Sequence, residues 1–218
     1  MTDRKINTKK IVGTAMFAAL AFVVAYLCQF IPKVQNFLTP DAKDAVIVIA
    51  SFIYGPIVAP IISFIVAFLE FITFSTTGPF GLLMNFASST VFSLTASLIF
   101  RYKKSFNSAI FGLMLSVVAT TAVMLILNPF IVPLYSGVTR EIVVAMIPTV
   151  LLPFNFAKAL LNSAVTIMLY KPVLAALSGA GMIKTKTASL NFNKNTRIIL
   201  IVGSVALVLS VVIFIVLS

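Results

Sequence analysis

The chain has 218 residues, of which 61% are apolar and 10% charged, and its mean hydropathy is +1.14. One water-soluble core cannot hide that much apolar surface, so an ordinary soluble domain is excluded and lipid is the solvent. The net charge of +11 lies between the apolar runs and forms no basic domain with interleaved aromatics, which makes it a topology signal and not a nucleic-acid footprint.

The inventory of reactive side chains is thin. Histidine is absent, Cys28 is the single cysteine, and there are five acids. No intrachain disulfide is possible, and most metal sites and His-based triads lack their parts.

A spanning helix needs about 20 mostly apolar residues. The start, MTDRKINTKK, is charged like that of a signal peptide, but the apolar run 11–31 is too long for one and reaches Pro32 without a cleavage motif. It is expected to be a retained first helix. Ala15 and Ala19 lie at i and i+4 on it, with Ala18, Ala21 and Ala25 as an adjacent stripe. Small side chains let another helix approach closely, whether within the bundle or on a partner. The segment that follows, PKVQNFLTPDAKD (32–44), carries Gln35, Asn36, Phe37 and Leu38 and is long enough to fold over a pocket.

Residues 45–74 form an apolar stretch broken by Gly55-Pro56 and Pro60. Read as one pass, it puts most Lys and Arg outside, against the positive-inside rule. Read as a hairpin, a short helix 45–54 turning into a full one at 56–74, it leaves only Lys33, Lys43 and Arg140 outside and Lys158 within a span. The hairpin is therefore predicted. A ten-residue helix rises only about 15 Å, so 45–54 must lean on protein or line a cavity. Further spans are expected at 80–100, 108–128 and 149–170, which makes six helices, and a last one at 198–217 follows the basic linker GAGMIKTKTASLNFNKNTR. The N-terminus is expected in the cytoplasm and the C-terminus outside. The linker looks flexible and solvated, so truncation after Thr187 is expected to spare ligand binding.

Ionisable residues inside spans normally face a bundle interior or a water-filled pocket. Glu70 and Lys158 are the two that interrupt the runs, either as functional groups, as an ion pair with each other, or with Glu70 snorkelling to the interface. In PFNFAKALLN, Asn155, Lys158 and Asn162 stand at i, i+3 and i+7 and share one helical face. Asn85 and Asn128 add amides in the outer half, with Asn128 opening a turn at NPF. Amides offer donors and an acceptor, so this set suits a planar neutral heterocycle, although interhelical hydrogen bonding by the asparagines alone would account for each one singly. Between the third and fourth helices, STTGPFG (75–81) offers Thr76 and Thr77 hydroxyls beside a tight Gly78-Pro79 turn.

TAMFAALA (14–21), the proline-bearing first loop, the short second helix with its Gly-Pro turn, STTGPFG and PFNFAKALLN occur in an order and topology that resembles the substrate-binding S components of energy-coupling factor vitamin transporters, most closely their riboflavin-specific branch. The resemblance runs over roughly 8–178. It implies an all-α integral membrane fold, a six-helix substrate-binding unit over 1–180, with the linker 181–197 and an additional C-terminal hydrophobic helix at 198–218 as a departure. It further implies riboflavin or a related flavin as transported ligand with no cofactor, an outward-opening pocket in which Asn128, Asn155 and Lys158 hold the flavin ring, and docking of the first helix, through Ala15, Ala18 and Ala19, on a transmembrane coupling subunit driven by two cytoplasmic ATPases. Asn85, Asn162, Glu70, Thr76, Thr77 and Gly78 complete the candidate ligand site.

Two other classes compete. No GxxxxGK[ST] loop is present, so ATP chemistry belongs to a partner. An intramembrane enzyme built on Glu70 and Lys158 lacks a His pair, an intramembrane Asp pair or an activated Ser. A proton-coupled secondary transporter relaying through Glu70 is the remaining alternative, and the absence of an internal repeat weighs against it.

Overall fold

In the computed structural model, residues 8–35, 37–183 and 194–217 are described, with backbone alone at Phe106 and 194–200. Helix α1 (Thr8–Cys28) starts within the basic N-terminal segment. After the loop 29–42 come α2 (Lys43–Tyr54) and α3 (Val58–Thr73), the predicted hairpin. Gly55, at φ +103, makes the turn, a conformation that side chains other than hydrogen rarely allow.

Every residue of α2 from Lys43 to Phe52 is buried, because α1, α3, α4 and α8 surround it. A helix apolar on all sides belongs in such an interior. Val46 and Ile49 pack with Phe17, Ala18 and Ala21 of α1 and Ile62 of α3. Lipid tails are as apolar as these side chains, so close packing and not the hydrophobic effect holds the helices together. Gly13 shows how close: a Cβ there would meet the Tyr54 ring and hydroxyl. Ala18 is 4% exposed, which corrects its assignment to a partner-docking stripe: it serves internal packing, whereas Ala15 and Ala19 face outward.

Helix α4 (Gly78–Lys103) ends with Arg101 and Lys103, cations that complement the negative end of the helix dipole. Ser105 and Ser108 form a reciprocal cap on α5 (Phe106–Ile131). α5 and α4 approach closely at Gly112, where a Cβ would sit 2.8 Å from the Ala96 carbonyl oxygen. The expected turn at NPF is corrected here. Proline this near the end of a helix removes one hydrogen bond without stopping it, and α5 runs through Pro129 to Ile131. Two short helices, α6 (Pro133–Ser136) and α7 (Arg140–Ala145), and a π-helical turn (Ile147–Leu151) then lead into α8 (Leu152–Gly179). Helix α9 (Lys194–Leu217) lies along α8. Most of the predicted linker falls on 184–193, outside the described residues. Among the described residues, four helical stretches are long and apolar enough to cross a membrane, with α3 and 201–217 as shorter apolar helices.

Candidate functional site

Asn162 of α8 organises the entry to α2. Its Oδ1 accepts from the Ala45 backbone N–H at 2.8 Å, and its Nδ2 donates to the carbonyl oxygens of Asp41 and Lys158 at 2.8 and 2.9 Å. A side chain from another helix thus satisfies a first-turn N–H of α2, a group with no partner inside its own helix. The loop 29–42 is thereby fixed to α8 at its second end.

From this anchor a chain of charged and polar groups crosses four helices. Lys158 Nζ donates to Asp41 Oδ2 at 2.7 Å, and Lys43 Nζ stands 3.8 Å from the same oxygen. Lys43 donates to Glu70 Oε1 at 2.5 Å, and Asn85 Nδ2 donates to Glu70 Oε2 at 2.7 Å. Ser89 Oγ donates to Asp44 Oδ1 at 2.5 Å. Asp41, Lys43, Asp44 and Glu70 are each 5% exposed or less. Charges so deep persist only when paired and hydrogen-bonded. Burial alone would raise the Asp41 carboxyl, but Lys158 and Lys43 outweigh it and hold that group below the usual carboxylate range.

A cavity of about 260 Å³ opens beside this network, slightly below the range of about 300–1,000 Å³ typical of small-molecule sites. Phe37, Leu38 and Asp41 of the loop line it, with Glu70, Thr76, Thr77, Asn85, Asn128, Phe154, Asn155 and Lys158. Asn128 and Asn155 each turn Nδ2 back to the carbonyl one turn earlier, those of Met124 and Leu151, at 2.6 and 2.7 Å. Their second N–H and amide oxygen have no other protein partner among the described residues. Asp41 Oδ1 is buried and likewise without a protein partner. The site therefore offers cationic and amide donors and an ionic acceptor around one void.

Several expectations change at this point. The proposed Glu70–Lys158 ion pair does not form, since each residue has its own partner. Asn162 does not line the cavity; it is fully buried and acts through Asp41 and α2. Gly78, at φ +60, shapes the start of α4 and is no part of the lining. Lys43, assigned to the outer loop, is 2% exposed at the first position of α2, and two aspartates are buried where none was expected. The sequence does hold a signal for them: TPDAKDAV puts three charges directly against an apolar helix, with Asp41 and Asp44 at i and i+3.

A second cavity, of about 350 Å³, lies at the opposite end, where Lys10, Tyr54, Arg101 and Lys104 line it. It holds none of the predicted ligand-site residues and no carboxylate, so the loop-end cavity is the candidate site.

Helices around a buried polar void, reached from one end beneath a long loop, define a polytopic membrane protein that captures a small polar molecule. The sequence model of the family described as "ECF transporter, substrate-specific component" matches residues 9–170, and the chain belongs to that family. Among curated proteins it is 33% identical to the riboflavin transporter RibU of Staphylococcus aureus (strain TCH60), over 77% of this chain and 93% of that one. It is 27% identical to the riboflavin transporter FmnP of Bacillus subtilis (strain 168), over 76% of this chain and 92% of that one. A solved structure titled "Structure and mechanism of the S component of a bacterial ECF transporter" matches with a TM-score of 0.67 and 32% identity, covering 79% of this chain and 99% of that chain. These relatives are transporters and not enzymes, and the chain is a transporter subunit.

Proposed function

We propose that the loop-end cavity binds riboflavin and that the chain is the substrate-binding subunit of an ATP-driven energy-coupling factor importer, taking the vitamin from outside and releasing it inside. The observation that carries the assignment to this cavity is the convergence of Lys158, Asn128, Asn155 and Asp41 on one void. A flavin presents carbonyl oxygens and ring nitrogens along one edge, together with an imide N–H and a hydroxylated chain. Lys158 and the two amides supply donors to the edge, and Asp41 Oδ1 an acceptor for an N–H or hydroxyl. Phe37 and Phe154 provide apolar faces for the ring, and Thr76, Thr77 and Asn85 border the same space. Glu70 contributes by holding Lys43 and Asn85.

The proton-coupled alternative needs a Glu70 free to load and release a proton. Here both its oxygens are engaged, by Lys43 and Asn85, and that reading is not favoured. The partners that complete the importer are a transmembrane coupling subunit and two cytoplasmic ATPases, with the N-terminus in the cytoplasm of a multi-pass cell-membrane protein.

The protein purified from riboflavin-supplied cells is expected to be yellow, with a flavin absorption spectrum, and the stripped protein to quench added riboflavin fluorescence at a one-to-one end point. A colourless preparation that leaves riboflavin fluorescence unchanged would overturn the proposal.

A further inference from the structure

Helix α9 stands behind the wall of the candidate site. Its buried and half-buried positions Gly203, Leu207, Ser210, Phe214 and Leu217 recur at intervals of four and three, one stripe turned toward α8, whereas Ile201, Val205, Val208, Val212 and Ile215 are exposed. On α8 the receiving positions are Phe154, Ala157, Leu161, Ala164 and Met168, at matching intervals. They lie about 100° around the helix from Asn155, Lys158 and their stripe. Gly203 permits the approach: a Cβ there would stand 3.0 Å from Met168 Cγ.

At the loop end the contact reaches the ligand cavity. The rings of Phe214 and Phe154 are 5.6 Å apart and tilted by 59°. Ile213 and Leu217 join Val34 and Leu38 in the same apolar cluster. Val34 and Leu38 exchange backbone hydrogen bonds of 2.9 and 3.0 Å across a turn that includes Gln35 at φ +52. Leu38 and Phe154 both line the cavity. The last turn of α9 therefore holds together a segment of the loop and the wall it rests on. The family match ends at residue 170, so α9 lies beyond the shared unit.

We infer that α9 is a positioning element of the ligand site, whose last turn clamps the Val34–Leu38 turn against Phe154 and so keeps the loop closed over bound ligand. The inference rests on the riboflavin-binding reading. Ligand leaves when the loop opens, and opening must break the apolar contacts among Leu38, Phe154, Phe214 and Leu217. Phe214 is not among the residues that line the cavity, so its effect belongs on the release rate.

The test is exchange of bound radiolabelled riboflavin against excess unlabelled riboflavin, using the full-length protein in detergent. Phe214→Ala is expected to speed release about tenfold while changing association much less. Val205→Ala, on the exposed face of the same helix, should release at the wild-type rate. Contacts of α9 with Phe154, Val34 and Leu38 reverse the expectation that loss of the tail spares binding: a chain ending at residue 193 is expected to release at least as fast as Phe214→Ala; should it fail to fold, the point variant decides. Wild-type release rates in folded Phe214→Ala would overturn the inference. If the wild-type protein itself retained no label, the riboflavin reading would fall, and that result is distinct from the first.

Discussion

Lys158 cannot be judged alone, because its ammonium neutralises a buried carboxylate as well as facing the cavity. From sequence it reads as a costly buried charge whose removal should leave folding unharmed or improve it. The ion pair with Asp41 at 2.7 Å reverses that expectation. Removing one member of a buried pair strands the other, at a cost of about 3–5 kcal/mol. Lys158→Met is therefore expected to lose both thermal stability in detergent and riboflavin affinity. Asp41→Asn combined with Lys158→Met removes both charges, and most of the stability should return while affinity stays low, since the donor to the ligand is still missing. If the double variant bound riboflavin like the wild type, Lys158 would be a structural cation only. Lys158 and Asn155 were legible because a polar stripe on an apolar helix stands out. The partner Asp41 was not, because pairing across 117 residues depends on how loop and helix fold together, and no local periodicity records it.

At the scale of elements, α2 was legible for two independent reasons. Gly55-Pro56 interrupts the apolar run, and only a hairpin there brings the basic segments to one side. Gly55 sits at φ +103 with no atom within 4 Å of an added Cβ. A substitution there meets no clash, so its whole cost is backbone conformation. Gly55→Ala should destabilise by about 1–3 kcal/mol, read as a lower midpoint in thermal unfolding, with riboflavin affinity kept because the turn lies at the far end of α2 from Lys43. An unchanged midpoint would mean that the turn relaxes to an ordinary conformation at no cost. The connection 132–151 was not legible. Its short helices and π-helical turn carry no apolar period of their own, and Pro129, which marks a helix end by local preference, sits inside a helix that neighbouring helices hold in place.

The whole molecule sorts the alanines of α1 into two sets that the sequence could not separate. Spacing alone gives a broad stripe of small residues, consistent with packing inside the bundle or against a partner. The fold turns Ala18 and Ala21 onto α2 and α3, buries Ala25 beside the ligand cavity, and leaves Ala15 and Ala19 on the outer surface, next to the exposed Ile11, Val12 and Met16. Bulk at the first set must disturb the core that seats Lys43 and Asp44, whereas bulk at the second points away from the described residues of this chain. If α1 docks on a coupling subunit through its outer face, Ala15→Arg or Ala19→Arg should abolish riboflavin uptake by cells and leave quenching by the isolated protein at wild-type affinity. Ala21→Leu, by contrast, should lower the unfolding midpoint and weaken binding, because over-packing a close helix contact costs about 1–3 kcal/mol. Should Ala15→Arg and Ala19→Arg leave uptake unchanged in cells that express the full assembly, the outer face of α1 meets only lipid, and the coupling subunit must be sought on another face of the bundle.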